Sequence, residues 1–170
     1  EIPHDAFHEF KAQVRETIDR PLLQELFPLG QRLSDVYWET HDARTRLPIH
    51  QTSTHTDESI HGNAGLTFGR QIGAYPILIG VPYHIPLDTS SDILITAHGA
   101  RSITGVEVGL RIQDASQKQR EAITGIGKKT AWNLVSSRAK LLRKQNEVSL
   151  DEVFKASNTE LTESIKQVLY

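Results

Sequence analysis

Gly125 and Gly127 stand directly ahead of Lys128 and Lys129, and this group is the part of the chain best suited to bind an anion. Glycine permits a tight turn and lets a ligand come close to the backbone, and the residues that follow read as the start of a helix. At such a start the N–H groups of Gly127, Lys128 and Lys129 can donate to a phosphate, with the helix dipole behind them. The two ammonium groups add point charge, and Ile126 should turn back into a core. Lys118, Lys140, Arg143 and Lys144 would extend a basic track. The bland alternative is a hairpin that only packs or touches another protein.

Other candidate chemistry is weaker. His4 and His8 lie four apart on one expected helix face, and His50, His55 and His61 gather near Asp57 and Glu58. Three histidines and a carboxylate can hold zinc, but no HExxH or comparable spacing is present, so no metal site is expected. GxSxG, the Walker loop and GxGxxG are all missing, so no catalytic residue is assigned and the chain alone is not expected to be an enzyme. The sequence has no cysteine, which removes disulfides, thiolate nucleophiles and cysteine-held iron–sulfur clusters from its own residues.

The elements that must position these residues fall into three segments. Residues 1–30 form a helical lead. Asp5 is a plausible cap, Phe7, Phe10, Val14 and Ile18 make an apolar stripe, and Pro21 should stop or kink the helix at Arg20. Residues 31–110 change to a period of two: Val36 and Trp38, Leu66 and Phe68, Ile77, Ile79 and Val81, Ile93, Ile95 and Ala97, then Ile103. Five or six short strands with frequent glycine suggest a small closed or partly open barrel, with a long loop over 46–63. His98 should lie in a hairpin turn. Residues 111–170 return to helices: a short one capped by Asp114 or Ser116, a longer one from Lys128 to about Lys144, one capped by Ser149, and a last one marked by Leu161, Ile165, Val168 and Leu169. The expected class is α+β.

At 170 residues, with 38% hydrophobic and 24% charged residues, the chain is too apolar for global disorder and long enough to bury a core. No apolar run approaches the ~18 residues of a membrane helix. The five acidic groups of residues 1–20 do not suit a signal peptide, so the cytoplasm is the expected compartment. The chain opens at Glu1 and has no Met, as expected of a piece of a longer protein. The net charge of −2 hides an asymmetry: residues 1–115 carry 9 Lys/Arg against 15 Asp/Glu, and residues 116–170 carry 10 against 6. The basic end is the place to look for nucleic-acid contacts.

Residues 121–134 (EAITGIGKKTAWNL) resemble the helix-hairpin-helix family, with glycines, lysines, Thr130 and Ala131 in register. That family implies binding of a nucleic-acid backbone without sequence readout. Residues 66–80 (LTFGRQIGAYPILIG), 91–97 and 101–105 resemble a TRAM domain, a small OB-like barrel. That resemblance implies phosphate contact or base stacking by Arg70, Tyr75 and Arg101, although Arg70 suits a plain sheet surface equally well. Taken together, residues 7–23, 27–30, 67–82 and 98–106 resemble the C-terminal region of archaeal radical S-adenosylmethionine proteins of the Fe–S oxidoreductase type. The implied catalytic barrel, with its 4Fe–4S cluster and S-adenosylmethionine, would lie outside this chain, which itself needs no cofactor. The expected role is to present nucleic acid, RNA ahead of DNA, to that domain; the alternative is a docking module that packs on it. No membrane partner is expected.

Overall fold

The computed structural model describes residues 3–41, 66–73, 77–99 and 101–170. Helix α1 (His4–Val14) runs through a π-helical turn (Arg15–Asp19) into α2 (Arg20–Leu26). Asp5 falls within the first turn, and Pro3 stands at the cap position instead. Pro21 neither stops the helix nor breaks it at Arg20. The Arg20 N–H reaches back to the Arg15 carbonyl, and this wider turn lets the ring enter at the start of α2.

Five strands follow: β1 (Arg32–His41), β2 (Thr67–Gln71), β3 (Leu78–Val81), β4 (Ser90–His98) and β5 (Ser102–Glu107). They close into a barrel in the order β1-β2-β3-β5-β4, antiparallel except for the β3–β5 pair. The long strand β1 lies between β2 and β4, and a bulge on each edge bends it round. Asp35, at φ 54°, sits in the bulge facing β4, where its N–H donates to Asp92 Oδ1 at 3.1 Å. Asp92 also takes Arg32 Nε at 3.0 Å, and the Arg32 hydrogen bond leads the effects holding its carboxyl below the usual range.

Val36, Trp38, Ile79, Val81, Ile93, Ile95 and Ile103 fill the barrel. In β2 the alternation runs opposite to the expected phase: Thr67 and Gly69 are buried, and Phe68 is half-buried on the other face. Thr67 suits the interior because its hydroxyl donates to the Tyr83 carbonyl and accepts from the Ile85 N–H, at 2.8 and 3.0 Å. A side chain at Gly69 would run into the Tyr37 carbonyl, so the barrel wall there has room only for glycine. His98 is the last residue of β4, and its Nε2 lies 2.6 Å from the Phe27 carbonyl oxygen.

Four helices follow: α3 (Gln117–Glu121), α4 (Lys128–Leu142), α5 (Leu150–Ala156) and α6 (Glu163–Lys166). Ser116, not Asp114, caps α3 through a reciprocal bond pair with Gln119, and Ser149 caps α5 likewise with Glu152. Residues 110–112 hydrogen-bond to 168–170, so the end of the chain lies alongside the exit from the barrel. Two arginines clamp that exit. Wholly buried Arg120 donates Nη2 to the Ile112 carbonyl at 2.6 Å, and Arg138 Nη1 donates to Gln113 and Ala115 carbonyls at 2.6 and 3.2 Å. Burial, then the Arg138 charge, pulls the Arg120 pKa down to about 10. One apolar cluster runs from the barrel into these helices.

Candidate nucleic-acid interface

The turn between α3 and α4 is built from residues of opposite demands. Ile123 and Ile126 are both 3% exposed and anchor it to the core. The Ile126 N–H donates to the Ile123 carbonyl at 3.0 Å, closing a four-residue turn whose third residue, Gly125, has φ 91°. That backbone conformation favours glycine. Gly127 then takes an extended conformation (φ −80°, ψ 169°) as the cap of α4, and no side chain caps it. The first intrahelical bond there is from the Ala131 N–H to the Gly127 carbonyl at 2.9 Å. The amides of Lys128, Lys129 and Thr130 thus have no acceptor within the helix, and both lysines are exposed beside them.

The two lysines differ electrostatically. Glu121 is partly buried, which raises its pKa, but bonds from Lys118 and Gln117 and the Lys118 and Lys128 charges bring it below the ordinary range. Lys118 is therefore tied to Glu121 at 3.0 Å, and Lys128 lies in the same carboxylate's field. Among the described residues Lys129, Lys140, Arg143 and Lys144 make no ion pair, and all four are exposed. Lys140 stands about 18 Å along α4 from Lys128, too far for one phosphate-sized anion to meet both.

The barrel arginines are placed otherwise. Arg70 projects from β2 and pairs with Glu39 at 3.0 Å, while Arg101 Nε pairs with Asp19 of the π-helical turn at 2.7 Å. Both ion pairs are exposed, so they are worth little and can open. Strand β2 borders β1 and β3, whereas the α3–α4 turn shares a cleft with β4 and β5, so Arg70 and the turn are not brought together. Tyr75 lies outside the described residues, as do His50, His55 and His61.

That cleft has a volume of about 210 Å³ and lies between Leu94, Ile95 and Val106 of the barrel and Ile123, Thr124 and Val168. None of its lining side chains titrates, so it can receive a group but offers no acid or base. Among the described residues no three His, Asp or Glu side chains come together as a metal site. With no cysteine, the chain's own residues do not fit a cysteine-ligated cluster. No helix of the described residues is long and apolar enough to cross a membrane.

Sequence reasoning passed over Trp132, whose ring is 58% exposed on α4. It found the basic end of the chain but not its sharpest stretch: residues 122–146 hold six Lys/Arg and no Asp or Glu. Both were visible in the sequence. A helical projection from Lys128 puts Trp132 one turn further along the same face.

No family model and no solved structure matches the chain. It is 30% identical over 119 residues to an uncharacterized protein of Archaeoglobus fulgidus, a match covering 70% of this chain and 18% of that protein. It is 32% identical over 97 residues to an uncharacterized protein of Methanocaldococcus jannaschii, covering 56% of this chain and 14% of that protein. The chain therefore spans less than a fifth of the length of these archaeal relatives, and it is similar to one stretch of each.

Proposed function

We propose that this chain is an accessory region that binds nucleic-acid backbone on behalf of a longer protein. The carrying observation is the start of α4, where uncapped amides of Lys128, Lys129 and Thr130 open beside two exposed lysines. Such a site donates to phosphate without reading bases. The mutually packed pair α3–α4 and its Gly125–Gly127 turn support the helix-hairpin-helix reading, and the closed order β1-β2-β3-β5-β4 supports the OB/TRAM-like one. RNA is the preferred ligand on the resemblance to a TRAM domain, a barrel appended to RNA-modifying enzymes. The catalytic part, a radical S-adenosylmethionine domain on the resemblance given above, would belong to the remainder of the longer protein.

Binding by the isolated chain should be weak, with Kd on the order of 10⁻⁴–10⁻⁶ M, and should fall steeply with salt. Fluorescence anisotropy with labelled single-stranded RNA, structured RNA and duplex DNA across a salt series measures this. Lys128→Glu with Lys129→Glu should weaken binding at least tenfold and flatten the log–log salt slope by about 1.4 on single strands. Unchanged affinity would remove the α4 start from the site.

A second reading, docking on the rest of the longer protein, is favoured by a separate observation. Phe7, Phe10, Ile18, Leu22 and Leu26 are 47–61% exposed from α1 to α2, and among the described residues of this lead only Leu23 and Phe27 are buried. An apolar stripe of that length in water fits a surface that receives a partner. The two readings use different residues and are compatible.

A further inference from the structure

We propose that Trp132 is a base-stacking platform, which would make the α4 face selective for single-stranded over duplex nucleic acid; this rests on the backbone-binding reading above. Of the two tryptophans in the chain, Trp38 is wholly buried in the barrel and its Nε1 donates to Ser91 Oγ at 2.8 Å. Trp132 is the opposite case. It is 58% exposed, and among the described residues it makes no hydrogen bond, ring contact or cation–π contact. The packing of α4 does not need it, because Ala131 and Leu134 carry the buried side of the helix.

The surroundings of the ring select its partner. At 100° per residue, Lys128, Lys129, Trp132, Ser136, Lys140 and Arg143 share one face of α4, with the ring about 6 Å along the axis from Lys128. Cations stand before and after it on that face, and residues 122–146 supply no carboxylate. A large flat apolar ring between exposed cations on one helix face fits a ligand that is both polyanionic and aromatic. A nucleotide strand has that character: its phosphates meet the lysines and the open amides, and its bases have π-faces for the indole.

The same geometry sets the form of the strand. In a duplex each base is already covered above and below, and only edges reach the grooves, whereas an unpaired base has a free face. The ring therefore adds affinity only where bases are unstacked: single strands, loops and ends. It would be indifferent to sequence, since every base has a π-face.

The test uses the chain itself, an unstructured 12-nucleotide RNA and a duplex of the same sequence, at about 50 mM salt, where electrostatic binding is strong. Trp38 is shielded, so quenching of tryptophan emission reports Trp132. The single strand should quench it and the duplex should not. Trp132→Ala should lose roughly tenfold in affinity for the single strand and stay within twofold for the duplex, and Trp132→Phe should recover most of the loss. Because the side chain is exposed, these variants should fold as the parent does, which circular dichroism checks. Salt-dependent binding with no quenching, or equal losses on both ligands, overturns the stacking role and leaves the backbone reading standing. No binding to either ligand overturns both.

Discussion

Gly127 occupies a backbone position that elsewhere in this chain carries serine. Its φ and ψ of −80° and 169° nearly match those of Ser116 (−71°, 166°) and Ser149 (−83°, 160°), each of which accepts an N–H from its helix. Glycine there leaves the first-turn amides of α4 open at a cost in helix stability. Gly127→Ser should reverse this trade. The new hydroxyl takes an amide of the first turn, so the melting midpoint should rise slightly while affinity for single-stranded RNA falls severalfold. A midpoint and an affinity that moved in the same direction would mean the open amides are not the site. Gly125 differs, because its φ of 91° makes it a structural requirement whatever the ligand. The two glycines were legible in the sequence as a pair; their separate roles were not, since the roles depend on torsion angles that spacing does not encode.

At the scale of elements, the strands were legible because β-branched residues mark them, and the phase of β2 was not. Thr67 faces inward by virtue of two hydrogen bonds to the segment after β3, a long-range pairing that no local pattern carries. Pro21 as a stop was misread for a related reason: the wider turn at Arg15–Asp19 absorbs the ring, and α2 continues past it to Leu26 with Leu23 buried. The junction of barrel and helices holds a titratable device. Burial raises the pKa of Glu107 on β5 above the ordinary 4.5, against opposing hydrogen bonds from Gln119, Ser91 and Tyr83. The native state then holds this proton more tightly than the unfolded chain does. The stability it contributes is complete below the unfolded pKa and is lost as pH rises through the folded one. Glu107→Gln removes that titration, so the variant should gain stability relative to the parent as pH rises from about 4 to 7. Urea midpoints across that range measure it, and a constant difference would show that Glu107 titrates no differently in the two states. Asp92 and Glu152, both held low, depend on pH in the opposite sense but cancel in this comparison.

At the scale of the whole molecule, an apolar lead stands at one end of the sequence and a cationic helix towards the other, with the barrel between them. Residues 5–13 of α1 are all exposed, whereas α2 is held to the barrel by Leu23, Phe27 and the bond between His98 and the Phe27 carbonyl. Among the described residues nothing covers residues 5–13, so in the isolated chain the α1 amides should exchange with solvent far faster than those of β4. Docking on the remainder of a longer protein would slow them, and Phe10→Ser with Leu22→Ser should restore fast exchange there. In the isolated chain the same pair should leave the melting midpoint within about 2 °C, because half-exposed side chains contribute little to its fold. Affinity for RNA should also be unchanged, since α1 and α2 carry the apolar stripe and α4 carries the cations. If α1 exchanges as fast in the longer protein as in the isolated chain, the stripe is not a docking face. If the substitutions weaken RNA binding instead, the lead is part of the ligand surface and the division of roles between the two faces fails.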